Sequence, residues 1–304
     1  MRIAVTGAGG FIGANLVRRL LKDGHNVCAI VRPGGSAKRL AGVEAGLCAA
    51  DVRDGQALAA IFNRFQPETV YHLASTAWNS ATPPEDHEQA ITQGMNGVLE
   101  ACERWRPRRL IATGSAAEYG SGAGFDEDSP CLPDTALGLA KAAACGLATG
   151  RAPQLGIECV WLRLFTPYGP YEAPTRLVPS AIRAALGRDS LTLRSPGEER
   201  DFLAVADAVD AMARAAWAPL PNPAILNLSS GRATSVASLA GLIFACAGTE
   251  PRWREAAQAP SGGETLARSS GSNRRAREWL GWSPRLELDT GIEQAIAWWK
   301  EQSS

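Results

Sequence analysis

One glycine-rich stretch limits what this chain can fold into more than any other feature. Gly7-Ala8-Gly9-Gly10-Phe11-Ile12-Gly13 spells GxxGxxG, with Thr6 before it, directly after the short apolar strand Arg2 to Val5. From Phe11 to Leu21 the apolar residues Ile12, Leu16, Val17, Leu20 and Leu21 recur at helical spacing, and Gly24 ends the helix. A second strand follows at Asn26–Val31, so the unit reads β–loop–α–β, the size of a parallel crossover. Glycines allow a tight turn and close backbone approach, and the helix N-terminus offers unpaired N–H groups and a positive dipole end. A glycine loop alone is a weak signal, but one set between a strand and a patterned helix predicts dinucleotide binding. Gly7, Gly10, Phe11, Ile12 and Gly13 are the residues expected to carry it.

The alternation continues downstream. Apolar runs predict strands at Ala45–Ala49, Thr69–Leu73, Arg109–Thr113 and Glu158–Leu164, with helices over 55–65, 85–105 and 135–150. Continuous apolar strands alternating with helices predict a Rossmann-type, doubly wound parallel α/β sheet covered on both faces. After residue 165 prolines crowd together at 167, 170, 174 and 179. A helix (178–186), a strand (191–193), a loop (195–200) and helices over 205–217, 235–247 and 290–300 complete the chain. The expected organisation is a dinucleotide-binding domain over 1–165, with returns to the sheet near 202–229. The remainder, 166–304, is expected to form mainly a smaller C-terminal substrate-binding lobe.

Composition narrows the function. The 304 residues balance 31 Lys and Arg against 31 Asp and Glu, which argues against nucleic acid or an anionic membrane as the main partner. No apolar run approaches the roughly 20 residues a spanning helix needs, and a strand already at residues 3–5 leaves no targeting segment, so a cytoplasmic location is expected. The seven cysteines never form a CxxC pair and read as reduced, structural residues. Only three histidines are present, so no histidine-based metal site is expected.

The end of the second strand bears on the cofactor. An acidic residue there would hydrogen-bond the ribose 2′-hydroxyl of NAD; instead the chain reads Ile30-Val31-Arg32-Pro33-Gly34-Gly35-Ser36-Ala37-Lys38-Arg39. Arg32, Ser36, Lys38 and Arg39 suit a 2′-phosphate, so NADP is expected ahead of NAD; the alternative is a solvated basic loop.

Seven landmarks, in order, make the chain similar to the extended short-chain dehydrogenase/reductases, in the NAD-dependent epimerase/dehydratase branch that works on nucleotide sugars. They are TGAGGFIG (6–13), Asp51-Val52-Arg53-Asp54, His72-Leu73-Ala74-Ser75, GSAAEYG (114–120), LFTPYGP (164–170), Glu199-Arg200-Asp201-Phe202 and LGWSP (280–284). The resemblance implies that Asp51 and Val52 contact the adenine end and that Leu73 and Ala74 line the cofactor. Ser115 matches its catalytic serine or threonine, and Lys141 its catalytic lysine, which also holds the cofactor. Arg200 matches the arginine on the substrate diphosphate; without the resemblance it reads as a surface ion pair with Asp201. Ser75, Thr166 and Arg268 are further candidate substrate contacts. A homodimer through the 85–105 and 135–150 helices would suit the family.

The resemblance breaks at one decisive point. The family's tyrosine lies four residues before the lysine, and here that residue is Leu137. Leucine cannot donate, accept or ionise. Ala116 and Ala117 stand where 4,6-dehydratases carry an acid pair, which disfavours dehydration. Candidates for an alternative proton relay are Lys141, Ser115, Glu118, Tyr168 and Tyr171, although Tyr119 and Tyr168 sit in turns where aromatics usually pack structurally. The function implied is an NAD(P)-dependent oxidoreductase or epimerase acting on a nucleotide-activated keto-deoxysugar, with an atypical active site. The alternatives are a catalytically silent NADP-binding sensor or accessory protein, and a reductase of a non-nucleotide carbonyl compound.

Overall fold

The structure is a computed structural model that describes residues 1–76, 82–256 and 268–302. In chain order the first half runs β1 (Arg2–Thr6), α1 (Phe11–Lys22), β2 (Asn26–Val31), β3 (Gly46–Ala49), α2 (Gly55–Phe65) and β4 (Thr69–His72). Helix α3 (Pro84–His87) then passes through a π-helical stretch (Glu88–Gln93) into α4 (Gly94–Trp105). Next come β5 (Arg109–Ser115), β6 (Gly122–Phe125), α5 (Ala136–Gln154), β7 (Glu158–Leu164) and β8 (Thr166–Tyr168). The rest is α6 (Leu177–Ala185), β9 (Thr192–Leu193), β10 (Glu199–Ala204), α7 (Val205–Ala215), β11 (Ala224–Leu228), β12 (Ala233–Ser235), α8 (Val236–Ala247), β13 (Arg254–Glu255), β14 (Arg268–Gly271), α9 (Arg274–Leu280) and α10 (Leu288–Glu301).

Seven strands form one parallel sheet in the order β11-β7-β5-β4-β1-β2-β3. This is the doubly wound arrangement expected from alternating apolar strands and helices. One face buries Leu16, Val17 and Leu20 of α1 against Val209 and Met212 of α7. The other packs α2, α4 and α5, with Leu58, Val98, Ala140, Ala144 and Ala148 in the core. The alanines of α5 recur every fourth residue, and their small volume lets the helix lie close to the sheet.

A second lobe is built on β12-β10-β14-β6, with β8 also paired to β10 and β13 paired to β9. Its core gathers α6, α8 and α10 through Val178, Ile182, Leu239, Ile243, Ile292 and Trp299. The chain does not stay there: after β10, α7 returns to α1 and β11 pairs with β7. Three elements depart from expectation. The 195–200 stretch, read as a loop, includes the start of β10, whose first three residues, Glu199, Arg200 and Asp201, are all charged and carry no apolar strand signal. The helix expected over 85–105 is split by the π-helical stretch. The 135–150 helix runs on to Gln154, through Gly150 and Pro153. Among the described residues no helix is long and apolar enough to cross a membrane, and no cluster of three or more metal-ligating side chains occurs.

Candidate functional site

The glycine loop turns at the C-terminal end of β1. Gly7 has φ +69°, and a Cβ on it would lie 2.5 Å from the backbone nitrogen of Ala74, so a side chain would push β1 off the β4 loop. The Gly10 N–H donates to the Gly7 carbonyl at 2.9 Å, and Gly10 caps α1 with no side-chain bond. The first-turn N–H groups that follow, from Phe11 to Gly13, therefore face the loop without a side-chain acceptor, as an anion site requires.

This loop forms one wall of a cleft of about 670 Å³. Arg32 and Ser36 form its second wall, Asp51 and Val52 its third, and Leu73 to Thr76 its floor. The residues present fit the adenosine and pyrophosphate end of a dinucleotide. Asp51 takes a bidentate bond from Arg53, 2.7 Å at its shorter arm, and that bond holds its carboxyl below the usual range. Arg32 is exposed at the lip of the cleft. Lys38 is exposed on a short turn two residues beyond Ser36, outside the residues that line the cleft. Arg39 is committed elsewhere, donating to the Tyr171 carbonyl at 2.7 Å and the Gly9 carbonyl at 3.4 Å.

Beyond the floor, β4 and β5 end side by side. His72 is buried and shares a 2.8 Å bond through Nδ1 with the Thr6 hydroxyl; burial, with help from the Lys141 charge, pushes its pKa down to about 3. Lys141 is buried and donates from Nζ to the Thr113 carbonyl at 2.7 Å. Burial lowers its pKa to about 8. Thr113 and Ser115 are two residues apart on β5, so their side chains share a face. Gly138 lets α5 approach closely: a Cβ there would lie 2.3 Å from the Ala117 carbonyl. That approach sets Leu137 and Lys141 against the end of β5. Leu137 is 7% exposed and belongs to the core cluster with Ala140, Ala144 and Ile91.

Glu118 is the main correction. Its side chain is fully buried. It accepts from the Ser115 N–H (2.8 Å), the Trp161 indole (3.0 Å) and the Arg163 guanidinium (2.7 Å). Both carboxylate oxygens are engaged by structural donors. Ser115 completes the turn, its Oγ accepting from the Ala117 N–H at 3.2 Å. Tyr119 bonds Asn227 and Arg163, both at 2.8 Å. Tyr168 is buried in the second lobe, its hydroxyl against Gly291. Tyr171 stacks under Arg18, 4.2 Å from guanidinium to ring centre. None of these tyrosines replaces the missing phenol.

In the second lobe, Arg200 pairs with Glu198 at 2.6 Å rather than with Asp201. Asp201 is buried and accepts from Ser229, Ser230 and Gly231. Arg268 lies beside it in register, opposite Glu199, and pairs with that carboxylate at 2.7 Å while more than half exposed. Thr166 is half-buried at the start of β8. Ser75 is exposed on the cleft floor.

Two pairs escaped the sequence. Glu172 is buried and 3.7 Å from Arg176, with its carboxyl pushed up to about 8 by burial. Thr76, on the cleft floor, shares a 2.5 Å bond with Nδ1 of the buried His87. The signal for the second was a hydroxyl immediately after Ser75, with a histidine on the next helix.

The sheet order, glycine loop and serine–lysine pair define a dinucleotide-binding protein of the extended short-chain dehydrogenase/reductase class. The sequence matches the NAD dependent epimerase/dehydratase family over residues 3–228, and the chain belongs to that family. A UDP-glucose 4-epimerase of Mycolicibacterium smegmatis is 30% identical over a 322-residue alignment covering 100% of both chains. A dTDP-6-deoxy-L-talose 4-dehydrogenase (NAD(P)(+)) of Kitasatospora kifunensis is 29% identical, covering 100% of this chain and 96% of its own. The solved structure of Thermus thermophilus UDP-glucose 4-epimerase in complex with NAD superposes with a TM-score of 0.89 at 25% identity, covering 99% of each chain.

Proposed function

We propose that this protein is an NAD(P)-dependent oxidoreductase or epimerase acting on a nucleotide-activated keto-deoxysugar, with an active site that works without the usual phenol. The observation that carries the reading is the retained polar frame. Lys141 is held on the Thr113 carbonyl and Ser115 ends the same strand, β5, which pairs with β4, the strand that leads into the cleft floor. A buried ammonium is costly, and a chain that kept it for packing alone would be better served by an apolar residue. The bound dinucleotide supplies hydride exchange with a sugar carbon. The chain's own groups orient the reactants: Ser115 holds the reacting oxygen, Lys141 fixes the nicotinamide ribose, and Arg200 and Arg268 meet the diphosphate. Arg32 at the cleft lip favours NADP over NAD, since a guanidinium fork matches a 2′-phosphate. The dehydrogenase relative from Kitasatospora, whose name carries a deoxysugar and NAD(P)(+), supports a deoxysugar substrate and is compatible with either cofactor.

The exposed face of α5, with Leu139, Ala143, Gly146 and Gly150 in line, fits a close-packed helix pair in a homodimer. The test is hydride transfer between bound cofactor and UDP- or dTDP-sugars, followed by nicotinamide absorbance. Turnover that falls about a hundredfold in Ser115→Ala supports the reading. Tight cofactor binding with no transfer on any sugar nucleotide would move the protein to the silent binding class.

A further inference from the structure

Leu137 leaves a proton without a carrier, and one hydroxyl–imidazole pair joins the cleft floor to a helix that packs on α5. Thr76 forms part of the cleft floor, next to Ser75 and Ala74. Its Oγ1 lies 2.5 Å from Nδ1 of His87, and His87 is 1% exposed. Both α3, which carries His87, and the π-helical stretch that follows it pack on α5, where Thr92 donates to the Ala140 carbonyl at 3.4 Å. Ile91, one turn beyond His87, shares its core cluster with Leu137 and Ala140. The helix that carries His87 therefore packs against the helix that carries the leucine. A π-helical insertion adds one residue to a turn and rotates the side chains before it relative to those after it; such insertions occur often at functional sites. Here the rotation falls between His87 and the α4 residues that anchor the helix to the sheet.

We infer that Thr76 is a catalytic residue for this family's sugar oxidation, with His87 as the positioning residue that receives its proton. The inference rests on the function proposed above and names the relay that the reading leaves open. In the oxidation direction the substrate hydroxyl gives its proton to Thr76 Oγ1 while the proton of Thr76 passes to His87 Nδ1. The carbon–hydrogen bond breaks as hydride leaves for the oxidised dinucleotide, and the carbon becomes a carbonyl. This direction needs the ring tautomer in which Nδ1 accepts from the Thr76 hydroxyl. One proton and one hydride leave the sugar, and reduction reverses each transfer. A serine or threonine alone is a poor base, and the buried imidazole is what makes the hydroxyl competent.

The experiment uses the full chain with NAD or NADP and UDP-glucose or dTDP-glucose as probes. Thr76→Val should slow hydride transfer by about 10² to 10⁴, and Thr76→Ser should recover most of it. Cofactor binding, read by fluorescence titration in all three proteins, sets the saturating concentration at which their rates are compared. The ring-nitrogen resonance of isotopically labelled His87 should shift in Thr76→Val and again on adding sugar nucleotide to the parent. Parent-like transfer in Thr76→Val, with Ser115→Ala slow, overturns the relay and leaves the function standing. A His87 resonance indifferent to both changes also overturns it. No transfer by the parent on either probe defeats the function itself, and the relay falls with it.

Discussion

Glu118 and Arg163 meet at 2.7 Å with 0% and 5% of their side chains exposed, and the pair locks the turn that presents Ser115. The carboxylate sits on the serine's own N–H, and the guanidinium continues to the Tyr119 hydroxyl. Burial alone would lower the Arg163 pKa, but the charges and hydrogen bonds of Glu118 and Tyr119 raise it on balance. This is a support for the site and not a participant in its chemistry.

Removing one partner should show the difference. Glu118→Ala strands a buried guanidinium and should cost about 3–5 kcal/mol in denaturant unfolding. Glu118→Gln keeps the acceptor geometry in part and should cost less. A Glu118→Gln protein whose folded fraction has lost all hydride transfer would return Glu118 to the chemistry.

Lys141 links stability to alkaline pH. Burial takes its folded pKa from 10.5 to about 8. Below pH 8 both states carry the proton, and the folded state bears the full cost of a buried charge, on the order of 3 kcal/mol. Between about pH 8 and 10.5 the unfolded chain binds a proton the folded chain has released, so stability rises with pH. Lys141→Met should therefore be more stable than the parent at pH 7, with the gap closing toward pH 10.5, and should turn over more slowly. Thermal melts across that range test the first part.

His72 acts at the other end of the scale. Its folded pKa is about 3 against 6.5. The unfolded chain binds the proton first as the pH falls, so the parent loses about 1.4 kcal/mol per pH unit below 6.5 from this group. His72→Asn should flatten that limb. An acid limb of unchanged slope would place the loss on the carboxylates instead.

Arg32 should decide between cofactors. If its fork meets a 2′-phosphate, Arg32→Ala weakens NADP about tenfold or more, the weight of one hydrogen bond to a charged group, and leaves NAD unchanged. Equal losses for both cofactors would mean that Arg32 touches a part they share.

Restoring the phenol is the direct probe of the gap. Leu137→Tyr adds volume to a packed core and should cost about 1–3 kcal/mol. It should also raise hydride transfer at least about tenfold. A destabilised protein with no gain in rate would show that position 137 no longer opens on the reacting centre.

The larger sheet was legible because its strands are buried on both faces and read as apolar runs, Val27 to Val31 and Cys159 to Leu164 among them. The second lobe was not. Its strands are two to six residues long and include Gly122-Ala123-Gly124-Phe125 and Arg268-Ser269-Ser270-Gly271, whose composition reads as turn. The glycine loop could be placed from local spacing, and Ser115 and Lys141 from the family resemblance. Glu118 was misread because what silences it, Arg163, lies on another strand 45 residues away. The Thr76–His87 contact joins a loop to a helix, and no periodicity announces such a meeting.

Because α7 and β11 rejoin the first sheet after β10 has belonged to the second, no single cut separates the two lobes. Recombination between relatives with one crossover cannot exchange a whole lobe here. A chimera that borrowed a new sugar specificity would need at least three junctions, one before β8 and one on each side of the returning segment. Substrate preference in such a chain changes more readily by substitution within the lobe than by exchange of it.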